Sequence, residues 1–503
     1  MASTMHISGL ASGMDIDKMV SDLMKAERMP LDKLYQKKQI LEWQRDDYRS
    51  MNTLLQDLDN YIFNNLTLQS SMLKKTVTSS NDSVVSATAS ASAANVATNI
   101  QVQQIATSAV WISDATTKVD KNNFNVEKDY TLTFNVTNGD GSSKQATITI
   151  KQGTTLDGVI SQLNSDPNLG ISAFYDEQTG RVSIMKKDTG EKASIVLEDQ
   201  DTADFFAQKL GFIGATAGEE LTGKIPGTGT DAVFTINGLS TSRSSNTFTI
   251  NGVTYTLKSP GSATVTTSTD TDAMFNAIKG FVDKYNETID KINAKLKEER
   301  YRDYPPLTDE QKQAMTDKQI ELWEEKAKSG LLRGDSILSS GLNKMRMDLY
   351  TKVEGSNITS GFSQLAEIGI TTSSNYLDGG KLIIDETKLR EKIQENPDAV
   401  YRLFNNDSTN YSEKGIARRL RDTIKDTIGK IEQKAGKTIW TNQQFAIGRD
   451  LNDINDQIKR FEDHLKEVED RYWRQFTAME EAIQRANQQS MYLMNAFGGG
   501  MQG

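Results

Sequence analysis

Apolar residues recur at helical spacing at both ends of the chain and alternate at strand spacing through its middle. In the C-terminal segment Ile447, Leu451, Ile454, Ile458, Phe461, Leu465, Val468 and Tyr472 advance by steps of four and three. In the N-terminal segment Leu34, Leu41, Tyr48, Leu55 and Ile62 fall one in every seven. Each set lines one face of a helix, a seam that calls for a partner helix. At about 1.5–3 kcal/mol per large side chain removed from water, the C-terminal stripe is worth on the order of 10 kcal/mol. Its cover must therefore come from the N-terminal helix, from a neighbouring subunit, or from both.

Past Leu73, where the first helix is expected to end, composition shifts to Ser, Thr, Ala and Asn through residues 76–110. Tyr130, Leu132, Phe134 and Val136 then alternate with polar residues, and the alternation resumes at Ala146, Ile148 and Ile150 after a turn at Asn138–Gly141, which predicts a hairpin. A short helix around Leu156, Val159, Ile160 and Leu163 follows, and then a second hairpin through Thr179-Gly180. Residues 214–230 read as a glycine-rich return. Asn251-Gly252, between Phe248 and Ile250 on one side and Val253, Tyr255 and Leu257 on the other, is a two-residue hairpin loop.

Helix resumes with Asp272 as the expected N-cap and carries Phe275, Ile278, Val282, Tyr285, Ile289, Ile292 and Leu296. Further helices are expected from Thr316 and over Leu338–Leu349, then after Asp385, from Pro397 and from Ile416, with a strand interlude around Ile368–Ile384. Val468, Tyr472, Phe476 and Met479 read four, four, three, a stutter that locally unwinds a supercoil. The glycine-rich Phe497–Gly503 is expected to be disordered before assembly.

Composition narrows the chemistry. The 503 residues carry a net charge of -10, which opposes nucleic acid, and the one dense basic cluster, Arg418, Arg419 and Arg421, is expected on a solvated helix face. With no cysteine there is neither a disulfide nor a thiolate metal site. His6 and His464, on the terminal segments, are the only histidines, so histidine catalysis or a histidine metal site is not expected. Gly436-Lys437-Thr438 has the end of a phosphate loop, but Ile431 stands where its first glycine belongs. Gly227 and Gly229 precede a β-like segment and read as a loop. Asp199, Asp201, Asp270 and Asp272 read as turn and cap residues, and the cluster Tyr301, Tyr304, Pro305, Pro306 as a closure between helices. No enzyme activity, cofactor, metal site, membrane span or cleavable leader is expected.

The opening segment carries the strongest signature. Ile7-Ser8-Gly9-Leu10-Ala11-Ser12-Gly13-Met14-Asp15, then Leu23-Met24-Lys25-Ala26-Glu27 and Pro30-Leu31-Asp32-Lys33-Leu34, closely resembles the start of the bacterial flagellar filament capping family, hook-associated protein 2. Thr131–Ile150 with the helix after it is similar to the repeat shared by flagellin and hook proteins. Gly252–Asn293 resembles the family's passage from β head to helical leg, and Asp398-Ala399-Val400 with Leu403-Phe404 also fits.

The resemblance implies a multidomain α and β protein: a terminal α-helical coiled coil plus a helical bundle, with N- and C-terminal segments paired, and two inserted mainly-β head domains. The expected boundaries are 1–45 and 470–503 for the coiled-coil leg, 46–75 and 272–469 for the helical domain, 76–112 and 222–271 for one β head, and 113–221 for the outer one. It also implies a cap at the extracellular tip of the flagellum, exported by the flagellar type III route, that promotes incorporation and folding of flagellin. Implied partners are further copies in a ring, five in the family, flagellin, hook–filament junction proteins and an export chaperone, with neither nucleic acid nor membrane insertion. The expected assembly residues are Ile7, Gly9, Leu10, Gly13 and Met14, together with the N-terminal seam and Leu451–Tyr472 of the C-terminal one. Two alternatives share these features: a hook–filament junction protein or minor flagellin, and a tip adhesin whose β heads bind host mucus or glycans.

Overall fold

The computed structural model describes residues 13–375 and 378–498. Helix α1 (Ile16–Tyr61) opens where the Asp15 carboxylate accepts from the Lys18 N–H at 3.0 Å. Its 46 residues make a helix roughly 70 Å long. It passes into a π-helical turn (Ile62–Thr67) before the short α2 (Gln69–Met72).

The β region follows: β1 (Lys75–Ser79), β2 (Val85–Ala89), β3 (Ala97–Gln104), β4 (Ser108–Ile112), β5 (Tyr130–Thr137), β6 (Ser143–Ile150), α3 (Leu156–Ser165), β7 (Ile171–Asp176), β8 (Arg181–Thr189), β9 (Ser194–Leu197), α4 (Gln200–Gln208), β10 (Ala232–Ile236), β11 (Leu239–Arg243), β12 (Thr247–Ile250), β13 (Val253–Leu257) and β14 (Gly261–Thr269). Helical structure then returns as α5 (Thr271–Lys297), α6 (Asp309–Gln313), α7 (Asp317–Lys328) and α8 (Ser336–Tyr350). After the small hairpin β15 (Ile370–Thr372) and β16 (Leu382–Ile384) come α9 (Glu386–Glu395), α10 (Pro397–Asn405), α11 (Ile416–Ala435) and α12 (Ala446–Gly498).

Two compact units result. One joins the chain up to Leu68 to the chain from Phe275 onward; the other is Gln69–Met274. Within the β unit there are two cores. A five-stranded antiparallel sheet, β1-β14-β3-β10-β11, and a three-stranded one, β12-β13-β2, enclose Val85, Ile100, Val102, Phe234, Tyr255 and Val265, with Phe234 and Phe248 stacked at 4.7 Å. The β12–β13 turn holds Asn251 and Gly252 at φ 49° and 79°, the conformation that the two-residue loop demands. The other core lies between sheets β4-β8-β7 and β6-β5-β9 with α3 and α4, around Trp111, Leu132, Phe134, Val182, Ile184, Phe205 and Phe206. Alternation explains it: on β4, Ala109 and Trp111 point inward and their neighbours do not.

Two sequence expectations are corrected, and some elements go beyond them. Helix α5 begins at Thr271 and is capped by Asp270, whose carboxylate accepts from the Ala273 N–H at 2.8 Å; Asp272 lies in the first turn. Helix α4, the short α6 and the hairpin β10–β11 are too short or too polar for periodicity to reveal, although Asp199 does cap α4 through the Thr202 N–H. The arginine cluster is not a solvated face. Arg419 is 1% exposed and donates to four backbone carbonyls, those of Thr351, Lys352, Tyr411 and Ser412, at 2.7–3.1 Å. Its fork of donors satisfies loop carbonyls that would otherwise be buried without partners.

Candidate assembly interface

The terminal helices α1 and α12 lie side by side and antiparallel. Tyr35 donates to the Glu462 carboxylate at 2.6 Å, and Tyr472 donates to Glu27 at 3.0 Å, so the register advances on one helix as it recedes on the other. Along the same pair Leu31, Ile454 and Ile458 form a small buried cluster, against which Leu34, Leu41, Phe461 and Leu465 are only partly covered. The hydrogen bond to Glu462, then burial, raises the Tyr35 hydroxyl pKa.

The α1 repeat by itself offers only a narrow seam. From Leu34 onward one seam position per heptad is apolar, while the alternate position, apolar at Leu31, holds Lys38, Arg45 and Asn52. Polar side chains there fix register at a cost in stability, and they leave the apolar set only one side to pack on. Farther along α1 Tyr48 and Leu55, and Ile62 in the π-helical turn after it, are fully buried, where α11 packs alongside and the α8 N-cap meets Tyr48. Tyr48 donates to Asp335, the carboxylate that caps α8, and burial first, then that bond, raises its pKa. Arg421 grips Asp59 in a two-point pair at 2.7 and 3.1 Å. Arg49 donates to the Ala435 and Gly436 carbonyls at 3.1 and 3.3 Å, a cation on the negative end of the α11 dipole.

Of the expected assembly residues, Ile7, Gly9 and Leu10 lie outside the described residues, as does most of the glycine-rich tail. Gly13 is exposed and Met14 half-buried. The structure brings Leu34 and Leu41 together with Ile454, Ile458, Phe461 and Leu465; Leu451 and Val468 are buried, Tyr472 half-buried. Tyr48 and Leu55 sit instead in the packed half of α1, and Ile62 in the turn that follows it, enclosed by this chain's own helices. Sequence reasoning misses Leu31, Glu27 and Glu462. Leu31 is legible as the seam position three before Leu34; the two glutamates become legible only once register is known.

At the far end of α12, Met491, Tyr492, Leu493 and Met494 are exposed in succession. Four consecutive apolar residues cannot share one helix face. Among the described residues no cluster of acidic, cysteine or histidine side chains could hold a metal, and no helix is long and apolar enough to cross a membrane.

Comparison with known proteins sets this geometry in a class. Residues 12–109 match the N-terminal family of flagellar hook-associated protein 2, residues 229–488 match its C-terminal family, and residues 131–188 match the flagellin hook IN motif. These are parts of flagellar structural proteins. The chain is 35% identical to flagellar hook-associated protein 2 of Halalkalibacterium halodurans, over 98% of this chain and 100% of that one. It is 31% identical to the Thermotoga maritima protein of the same name, over 70% of this chain and 54% of that one. The chain belongs to the flagellar hook-associated protein 2 family. Its fold is similar to that of the flagellar cap protein FliD D1-D2-D3 domains from Escherichia coli, with a TM-score of 0.57 at 21% identity over 78% of this chain and 96% of that one.

Proposed function

We propose that this chain caps the distal tip of a bacterial flagellar filament and promotes incorporation and folding of the flagellin subunits that arrive there. The observation that supports this most is the stripe along the α1–α12 pair, which its own helices bury fully at one end and, at Leu34, Leu41, Phe461 and Leu465, cover only in part along the rest. Such a stripe is completed by helices of neighbouring subunits, and flagellin is the neighbour at a filament tip. The division into a leg (1–45 with 470–503), a helical domain (46–75 with 272–469) and two β heads (76–112 with 222–271, and 113–221) belongs to the same proposal. So do a ring of copies, five in the family, contact with hook–filament junction proteins, and passage out through the flagellar type III route with an export chaperone.

Docking by an incompletely packed helix pair gives a large contact surface at reduced net affinity, since ordering entropy is lost on binding. A cap held in this way can shift position as each subunit adds. The test is complementation of a strain lacking the chain. The full-length protein should restore long filaments and keep flagellin on the cell, whereas a variant lacking residues 1–45 should leave monomeric flagellin in the medium. Normal filament growth with the truncated variant would overturn the reading.

A further inference from the structure

Lys186 is buried on the inward face of β8, only 1% exposed, on a strand whose other inward residues, Val182 and Ile184, are apolar. Its Nζ stands 3.0 Å from Asn138 Oδ1, 3.3 Å from the Leu169 carbonyl and 3.5 Å from Asp188 Oδ2. Gly170, at φ +58°, leaves the room: a Cβ there would stand 3.1 Å from the amine. Asn138 lies in the β5–β6 turn, where its Nδ2 donates to Ser142 Oγ at 3.1 Å, fixing the carboxamide plane. A buried amine on sheet β4-β8-β7 thus meets a carboxamide at the edge of sheet β6-β5-β9, with the half-exposed Asp188 carboxylate beside the amine.

We propose that Lys186 and Asn138 join in an intramolecular isopeptide bond, with Asp188 as the proton carrier. The neutral Nζ attacks the Asn138 carboxamide carbon, Asp188 takes a proton from the attacking nitrogen, and the same proton goes to Nδ2 as the carbon–nitrogen bond breaks. Ammonia leaves, one amide replaces another, and no oxidant or co-reactant is required. Burial lowers the Lys186 pKa against the opposing pull of Asp188, which shifts the balance toward the neutral amine that attacks. Held neighbours react at the high effective concentration of an intramolecular pair. In a chain without cysteine, the product would be a covalent tie between the two sheets, joining residues 48 positions apart. This inference stands on the β unit alone, whether or not the chain caps a filament.

The experiment is the intact mass of the purified full-length protein under denaturing conditions, followed by a protease digest. The expected mass is lower than the sequence requires by one ammonia, and the digest yields a branched peptide joining positions 138 and 186. Lys186→Met and Asn138→Ala should each restore the full mass, and Asp188→Asn should slow or abolish the loss. A wild-type protein at full sequence mass would overturn the proposal. So would an ammonia loss that mild hydroxylamine removes without any branched peptide, which marks a succinimide at Asn138-Gly139.

Discussion

The two halves of α1 follow the same seven-residue rule and end in different surroundings. Toward its C-terminus Leu55 and Ile62 are fully enclosed, with α11 packed alongside and Arg421 clamped on Asp59. Toward its N-terminus Leu34 and Leu41 pack on the α12 cluster and stay half-covered. A heptad specifies that a stripe exists; the number of helices beside it decides how much of that stripe reaches zero exposure. The packed half behaves as protein core, the open half as an interface awaiting a partner.

The largest expected effect is a direct contrast between the halves. Leu55→Ala should cost about 3 kcal/mol or more, since the enclosed site cannot collapse, and Leu41→Ala about 1 kcal/mol, since little area is lost from cover. Urea unfolding of both variants checks this, and equal losses would erase the distinction. Next is Asp59→Ala, which leaves Arg421 mostly buried without its partner and should cost about 2–3 kcal/mol. The exposed pair Lys466–Asp463 on α12 should be worth no more than about 0.5 kcal/mol.

A pH test sharpens the same comparison. In the packed half of α1 burial and the bond to Asp335 raise the Tyr48 pKa, and elsewhere in the helical unit partial burial with the bond to Asp348 pushes the half-exposed Tyr411 up from 10.0 to about 12. A raised folded value means that the folded chain keeps a proton the unfolded chain has lost. Their stability contribution is therefore intact below pH 10 and falls as pH rises from there through about 12. Tyr48→Phe and Tyr411→Phe together should flatten the alkaline loss, as read by thermal melts from pH 9 to 11. The smallest effect is expected from Tyr472→Phe in the open half, within about 0.5 kcal/mol for the free protein, because its hydrogen bond competes with water.

Much of this contrast is legible in the amino-acid sequence itself. The stripes on α1 and α12, the hairpin at Asn251-Gly252 and the caps at Asp385 and Asn396 follow from side-chain spacing and local hydrogen bonding, which neighbouring residues state directly. Arg419 is not legible in this way, because a charge inside an amphipathic helix usually faces water, and only the loops at Thr351–Lys352 and Tyr411–Ser412 turn it inward. The partition of α1 is also hidden. Leu34 and Leu55 occupy equivalent heptad positions, and nothing local tells which one α11 will cover.

The central claim is that the open half of the α1–α12 pair is completed by other subunits, and hydrogen exchange tests it most directly. Amides of α12 from Ile454 to Gln489 should exchange quickly in the free full-length protein and become strongly protected once it is bound at filament tips, while those around Leu55 stay protected in both states. Equal, strong protection of both stretches in the free protein would contradict the account.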